Sequence, residues 1–329
     1  PLLERGPSPG VPGIAYEDGT TMVSTSPSPP ATLERPPLLV PPGIETQDVR
    51  GANVYIETHR GCIGACTFCQ VPRFFGHAIR SRDLEDVVRE VTGLKERGVR
   101  RISISGGTGS LYRSRNGEMD PDAFVELLSA IAGVMGPKNL SAPDIRADCI
   151  TPEILEAIRE YTIGWVFFGI ESGSDRMLRI MGKGMTADVQ RDGIAACREH
   201  GLAVAGSFIV GHPMEEDGDF QATREFVAEQ RLDDVFVSIA EPIPGTPLAR
   251  QVMVVEREEN PTFRPDTGEY RPLGLTVSEA RCFDLLLHAD LFKPRFRVVT
   301  DSVYAAYLAE ARRQGQEIRA VTDLLSRYE

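Results

Sequence analysis

The sequence predicts an α/β fold: a partial (βα)6 barrel of parallel strands with a C-terminal helical extension. Two observations predict it. Between residues 51 and 240, six short apolar strand patterns alternate with helical ones, an order that lays parallel strands side by side through right-handed crossovers. The residues best suited to chemistry, among them cysteines, paired glycines and a buried-looking glutamate, fall just after those strands, where barrels keep their reactive groups.

The first 48 residues hold eleven of the 24 prolines. Stretches such as Ser26-Pro-Ser-Pro-Pro30 exclude helix and central strand, so residues 1–48 read as an extended connector. Within it, Gly13–Gly19 reads as one arm of a hairpin with an Asp-Gly turn. Asn53–Glu57 is the first barrel strand. Asp83–Arg97 is a helix, with Asp83 as cap and Leu84, Val87, Val88, Val91 and Leu94 at helical spacing. Arg101–Ser105 is the second strand, and Asp120–Val134 a helix with Pro121 at its first position. Asp144–Asp148 is the third strand, succeeded by a helix capped by Thr151. Trp165–Ile170 is a buried strand and Thr186–His200 a helix. Ala203–Val210, the helix Glu216–Gln230 and Val235–Ala240 complete the alternation. The barrel domain spans residues 49–260. Residues 261–329 form the helical extension, with patterns at Thr276–Phe292, Thr300–Arg312 and Ile318–Tyr328.

The composition is that of a water-soluble globular chain, 41% hydrophobic and 26% charged. No apolar run approaches the roughly 20 residues that span a bilayer, so no membrane is expected as partner. The net charge of −12 argues against a nucleic-acid backbone as main partner. Charge is uneven, however: Thr58–Arg82 contains no Asp or Glu but holds Arg60, Arg73, Arg80 and Arg82, a positive stretch suited to anionic thiolates and an anionic ligand. No signal peptide opens the chain, and its loop-like start suggests that a portion precedes it.

Cys62, Cys66 and Cys69 come after the first strand, close enough in sequence to grip one metal centre. A structural zinc site takes four protein ligands, so His59 or His77 would have to complete one. An iron–sulfur cluster on three thiolates instead leaves one iron open for a small molecule. Cys149 and Cys197 read as small core residues. A thiolate-held cluster also implies a reducing, cytoplasmic setting.

The spacing Cys-x3-Cys-x2-Cys, with Phe68 before the last cysteine, resembles the signature of the radical S-adenosylmethionine (SAM) superfamily, whose members have a TIM-like partial barrel. The resemblance covers about residues 50–250 and includes Ser105-Gly-Gly-Thr108, Phe168-Gly-Ile-Glu-Ser-Gly-Ser-Asp175 and Met177–Gly184. It implies a [4Fe–4S] cluster on Cys62, Cys66 and Cys69, with SAM at the open iron. Phe68 would lie near the adenine, Gly106, Gly107 and Thr108 near the methionine amino group, and Glu171 and Ser172 facing the cofactor. Lys183 would meet its carboxylate. Thr108 stands where the family more often has glutamate. Arg146 is expected either at the cofactor or paired with Asp148. Tyr112 could reach the reaction centre as a catalytic group, or pack as an ordinary tyrosine. His212, where the family often has Leu or Phe, could face substrate.

The resemblance also implies an electron donor such as a ferredoxin or flavodoxin. The proline-rich opening resembles the connector of the cobalamin-dependent branch, whose members mostly methylate carbon. The expected reaction is therefore methyl transfer from methylcobalamin to an unactivated carbon of a protein or peptide. Archaeal members of this type include one that methylates a glutamine of methyl-coenzyme M reductase. Methylthio transfer is the alternative; enzymes of that kind carry a second cysteine triad, and no cysteine precedes Cys62 here. Other radical reactions without methylation, and a non-enzymatic iron–sulfur protein, complete the alternatives.

Overall fold

In a computed structural model of the chain, the structure describes residues 13–25, 37–47, 52–105, 107–210, 212, 214–240, 243, 245–254, 263–264 and 269–270, with Ser8, Val11 and Leu33 besides. The chain divides into two compact units, Pro1–Pro36 and Pro37–Glu329. In the first, β1 (Ala15–Asp18) and β2 (Thr21–Ser24) form the antiparallel hairpin that the Asp-Gly pair predicts, closed by the pair Asp18–Thr21.

The second unit holds, in chain order, β3 (Val54–Glu57), β4 (His59–Arg60), α1 (Val71–Phe75), β5 (Arg80–Ser81), α2 (Leu84–Glu96), β6 (Ile102–Ser105), α3 (Pro121–Met135), β7 (Leu140–Ser141) and β8 (Asp144–Ile145). It continues with α4 (Pro152–Tyr161), β9 (Trp165–Glu171), α5 (Asp175–Ile180), α6 (Ala187–Glu199), β10 (Ala203–Val210), α7 (Asp217–Gln230), β11 (Asp234–Ile239) and α8 (Pro247–Val254). A two-residue pairing, β12 (Phe263–Arg264) with β13 (Glu269–Tyr270), comes last. The expected helices at Thr276–Phe292, Thr300–Arg312 and Ile318–Tyr328 lie outside the described residues, as does Ser26–Pro30.

The barrel strands run parallel in two sheets, β3-β6-β7 and β8-β9-β10-β11. The third strand joins them but differs from its prediction. Leu140–Ser141 pairs with β6, whereas Asp144–Ile145 pairs with β9. Between them Pro143 has no N–H to give a ladder, though its carbonyl accepts from Phe167 N–H at 2.7 Å. Arg146 and Asp148 therefore fall beyond the strand, in a turn where Cys149 N–H reaches the Arg146 carbonyl. The lead-in also joins the barrel earlier than residue 49: Ile44 is buried in the core and Leu38 N–H donates to Glu90.

The helices pack on the outside of the strands. Val87, Val91 and Leu94 of α2, Phe124, Leu127 and Ile131 of α3, and Ile154 and Ile158 of α4 meet Ile56, Ile102 and Ile104 in one core. Each fully buried aliphatic side chain of this kind stabilises by about 1.5–3 kcal/mol. Asp120, Thr151, Ser174 and Thr186 cap their helices by accepting a backbone N–H. Asp83 stands at the cap position of α2 but makes no such bond.

Candidate functional site

The short β4–β5 pair closes a loop, residues 61–79, that carries the three cysteines at the C-terminal end of β3. Backbone bonds fix it from three sides. Cys62 N–H donates to the Gly76 carbonyl at 3.3 Å, Thr67 N–H to Met181 at 2.8 Å, and Leu248 N–H to Thr67 at 2.9 Å. Cys62 and Cys66 converge: a Cβ on Gly64 would stand 3.4 Å from Cys62 Sγ and 3.7 Å from Cys66 Sγ. Burial pushes the Cys66 and Cys69 thiols up, while the Lys183 cation pulls both down. Electrostatics thus joins the cysteine loop to the end of the fourth strand.

His59 does not complete a zinc site. Its Nδ1 accepts from the Thr58 hydroxyl at 3.0 Å and its Nε2 donates to the Thr108 carbonyl at 3.1 Å. Both ring nitrogens are used, and burial lowers its pKa to about 4. His77 is exposed and donates from Nδ1 to the Cys62 carbonyl. Among the described residues no three His, Cys, Asp or Glu side chains close on a single metal ion. Three thiolates spread over eight residues of this loop, beside Lys183 and Arg146, fit a larger anionic cluster.

Glu171 reaches this loop through a backbone irregularity. Ser207 pairs with Gly169 but Phe208 pairs with Glu171, so Ile170 is an extra residue, a bulge that re-aims the strand end beyond it. Ser172 N–H then bonds the Ile170 carbonyl at 2.9 Å across Glu171, whose φ is 68°. That is a γ-turn of the rare strained kind. The Glu171 carboxylate, almost fully buried, takes Lys183 Nζ at 3.0 Å. Gly169 makes room for the pair: a Cβ there would sit 2.5 Å from Glu171 Oε1 and 3.0 Å from Lys183 Nζ. Arg146 meets the second of its two expectations, the pairing with Asp148. It holds Asp148 bidentately at 2.8 and 2.7 Å and donates to the Lys183 carbonyl, while its Nη1 lies 3.2 Å from where a Gly64 Cβ would be. Burial works against its charge, but Asp148 raises its pKa overall.

The other predicted site residues divide. Gly107, at φ 84°, has the Gly61 carbonyl 3.3 Å from its Cβ position, so β6 ends against the cysteine loop where a side chain would be strained. Gly106 lies outside the described residues. Thr108 is buried, and its carbonyl receives His59. Phe68 packs against the small cluster of Ala240 and Leu248 near the end of β11. Two expectations are corrected. Ser172 turns away from the cysteines: its hydroxyl bonds Thr223 at 3.0 Å and accepts Ser174 N–H, tying the strand end to α7. Tyr112 is core, fully buried among Phe124 and its neighbours, and its hydroxyl donates to the Arg82 carbonyl at 2.8 Å. His212 is buried, accepts Met214 N–H on Nδ1, and leaves Nε2 without a partner among the described residues.

Sequence reasoning missed Gly169 and Thr223. Glycine inside an apolar strand is a known mark of close approach, so Gly169 was findable; Thr223 was not. A cavity of about 410 Å3, lined by Tyr55, Trp165, Phe167, Asp234 and Phe236, lies at the N-terminal ends of the strands, the end opposite the cysteines.

Residues 56–227 match the family model described as the Radical SAM superfamily. The chain belongs to that family, and its α/β barrel of parallel strands is the family's fold. A provisionally named methylthiotransferase of Methanocaldococcus jannaschii is 53% identical over 316 residues, 96% of this chain and 70% of that protein. A tRNA-2-methylthio-N(6)-dimethylallyladenosine synthase of Verminephrobacter eiseniae is 30% identical over 279 residues, 75% of this chain. This chain spans 62% of that synthase's length. Among solved structures, the radical SAM methyltransferase TsrM from Kitasatospora setae, with cobalamin and a [4Fe–4S] cluster bound, superposes with a TM-score of 0.61 at 15% identity, over 99% of this chain and 75% of that one. The cobalamin-dependent enzyme OxsB gives 0.63 at 17% identity, over 98% and 54%. These two likenesses are of fold.

Proposed function

We propose that this chain is the catalytic barrel of a radical SAM enzyme that attaches a methylthio group to an unactivated carbon. The observation that carries the finer reading is the 53% identity with the M. jannaschii protein over nearly the whole chain. Methyl transfer from methylcobalamin, the reading that the proline-rich opening suggested, rests on that opening and on likeness of fold alone. A glutamine of methyl-coenzyme M reductase, or any other particular substrate, has no further support.

Cys62, Cys66 and Cys69 would hold the cluster, and Gly107 and Lys183 would meet the amino acid end of SAM. When bound, these groups supply a 5′-deoxyadenosyl radical able to take hydrogen from carbon. The chain's own residues position and enclose. Lys183 presents a cation whose charge Glu171 balances before any ligand arrives, so the cofactor carboxylate would enter a neutral site rather than a bare positive one. Arg146 donates to the Lys183 carbonyl and lies beside Gly64 of the cysteine loop, a place from which it would help to hold the two halves of the site together. Phe68 packs the loop against the last strand end.

Cys149 and Cys197 are buried thiols whose pKa burial pushes up to about 12. The deciding experiment is turnover with SAM labelled in its methyl group, then mass spectrometry of the product. A product gaining sulfur with the labelled methyl supports methylthio transfer. A product gaining the methyl alone, and only when methylcobalamin is added, overturns it.

A further inference from the structure

The N-terminal mouth of the barrel holds the cavity of about 410 Å3, and strand alternation explains why it stays open. Successive side chains of a strand point to opposite faces. Val166, Phe168 and Ile170 of β9 join the core. Trp165 and Phe167 therefore take the other face, the one on which Gly169 meets Glu171 and Lys183. Barrels usually fill this end of their interior with branched side chains. Here β10 supplies Ala203 and Ala205, paired with Trp165 and Phe167 of β9, and Ala205 pairs with Asp234 of β11 on its other side. Across β10 the Phe167 and Phe236 rings meet edge to face with centroids 5.5 Å apart, and Trp165 stands edge-on to Phe167 at 6.5 Å. The wall is aromatic and the rim is acidic. Asp144 of β8 pairs with Phe167, and Asp233 and Asp234 stand at the start of β11. Asp233 accepts Val204 N–H at 2.7 Å and Asp234 accepts Val235 N–H at 2.9 Å, bonds that orient the two carboxylates without cancelling their charge. Neither makes an ion pair among the described residues, and no Lys, Arg or His lines the cavity.

We infer that this cavity binds a small organic cation, an ammonium carried on an apolar body. Aromatic faces attract such a cation, most strongly where little water competes, and the carboxylates of the rim complement its charge. The volume is that of a small-molecule site. The lining also selects against other ligands. An anion would meet three acids and no base. A neutral apolar molecule gains nothing from the carboxylates. A bare metal ion lacks ligands: among the described residues no three His, Cys, Asp or Glu close on one ion, and one oxygen each of Asp233 and Asp234 already accepts a backbone N–H. The site lies at the end of β9 opposite Glu171, so the inference needs neither the cluster nor SAM and stands apart from the radical reading.

Trp165 is the chain's single tryptophan, so its emission reports on the cavity. The test titrates the full cluster-loaded chain, by calorimetry and by Trp165 fluorescence, with three probes of similar size: benzyltrimethylammonium, benzyl alcohol and benzoate. The cation should bind saturably and perturb Trp165. Benzyl alcohol should bind at least about tenfold more weakly, and benzoate not at all. Phe236→Leu and Asp234→Asn should each weaken the cation at least about fivefold with unchanged circular dichroism; the asparagine can still accept Val235 N–H. Ala203→Lys serves if either of those variants fails to fold. Its position is exposed and pairs with Trp165, so it brings a tethered ammonium to the cavity and should abolish binding of the free one. No saturable binding of the cation overturns the inference. So does equal affinity for benzyl alcohol, binding of benzoate, or full affinity for the cation in Ala203→Lys.

Discussion

At the residue scale, the buried pair Glu171–Lys183 organises the site, and its energetics are asymmetric. Removing one partner leaves the other as an uncompensated buried charge, which costs about 3–5 kcal/mol, whereas removing both costs far less. Lys183→Met should therefore destabilise more than the double variant Glu171→Gln/Lys183→Met in urea denaturation. A double variant less stable than the single would show that the two do not act as a pair. Gly169→Ala should keep the barrel's circular dichroism but weaken SAM binding about tenfold or more, by displacing Glu171 from its γ-turn position, where strain of roughly 1–3 kcal/mol is already stored. Unchanged affinity would mean that the carboxylate is free to move aside. Tyr112→Phe should cost about 1 kcal/mol, the bond to the Arg82 carbonyl, and leave cofactor cleavage intact. Much of this was legible: Cys62, Cys66, Cys69 and Glu171 stand at strand ends that periodicity locates. Ser172 and Tyr112 were misplaced because chain position names the strand end, whereas side-chain direction depends on a bulge at Ile170 and a short 3-10 turn after Gly107, which leave no periodic mark.

At the scale of elements, capping is where sequence and structure can be compared bond by bond. Thr186 and Asp83 occupy the same position at two helix starts, and residue type alone ranks aspartate the better cap. Only Thr186 accepts a backbone N–H, from Val189 at 3.3 Å. Thr186→Ala should cost about 1 kcal/mol and Asp83→Ala no more than a few tenths by thermal unfolding. Equal losses would place the effect in the helix dipole rather than in the cap. Strands were read well where they are long, as at β9 and β10. The third strand was not, because Pro143 splits one apolar stretch between two neighbours, and pairing partners are set by tertiary contact. The helix Pro247–Val254 went unread, since eight residues after a proline-rich turn give little periodicity.

For the whole molecule, acid should be more damaging than alkali. Burial holds His59 at a pKa of about 4, and burial with nearby Arg176 holds His212 there too. An unfolded histidine takes up its proton near 6.5. Each neutral histidine therefore contributes stability that is complete above pH 6.5 and disappears as pH falls toward 4, on the order of 3 kcal/mol for each. Asp219, whose pKa is held down against burial by Ser174, the Glu216 backbone and Arg176, acts in the same direction at lower pH. The urea midpoint should fall steeply between pH 6.5 and 4, and less steeply in His59→Gln, which can still donate to the Thr108 carbonyl. Identical slopes would contradict the buried neutral state of His59. Three thiolates at the end of β3 would hold a cluster serving radical chemistry. The decisive assay incubates anaerobically reconstituted protein with dithionite and SAM and measures 5′-deoxyadenosine. The wild type should form it and Cys66→Ala should not; absence from the wild type, or equal formation by the variant, would contradict the account.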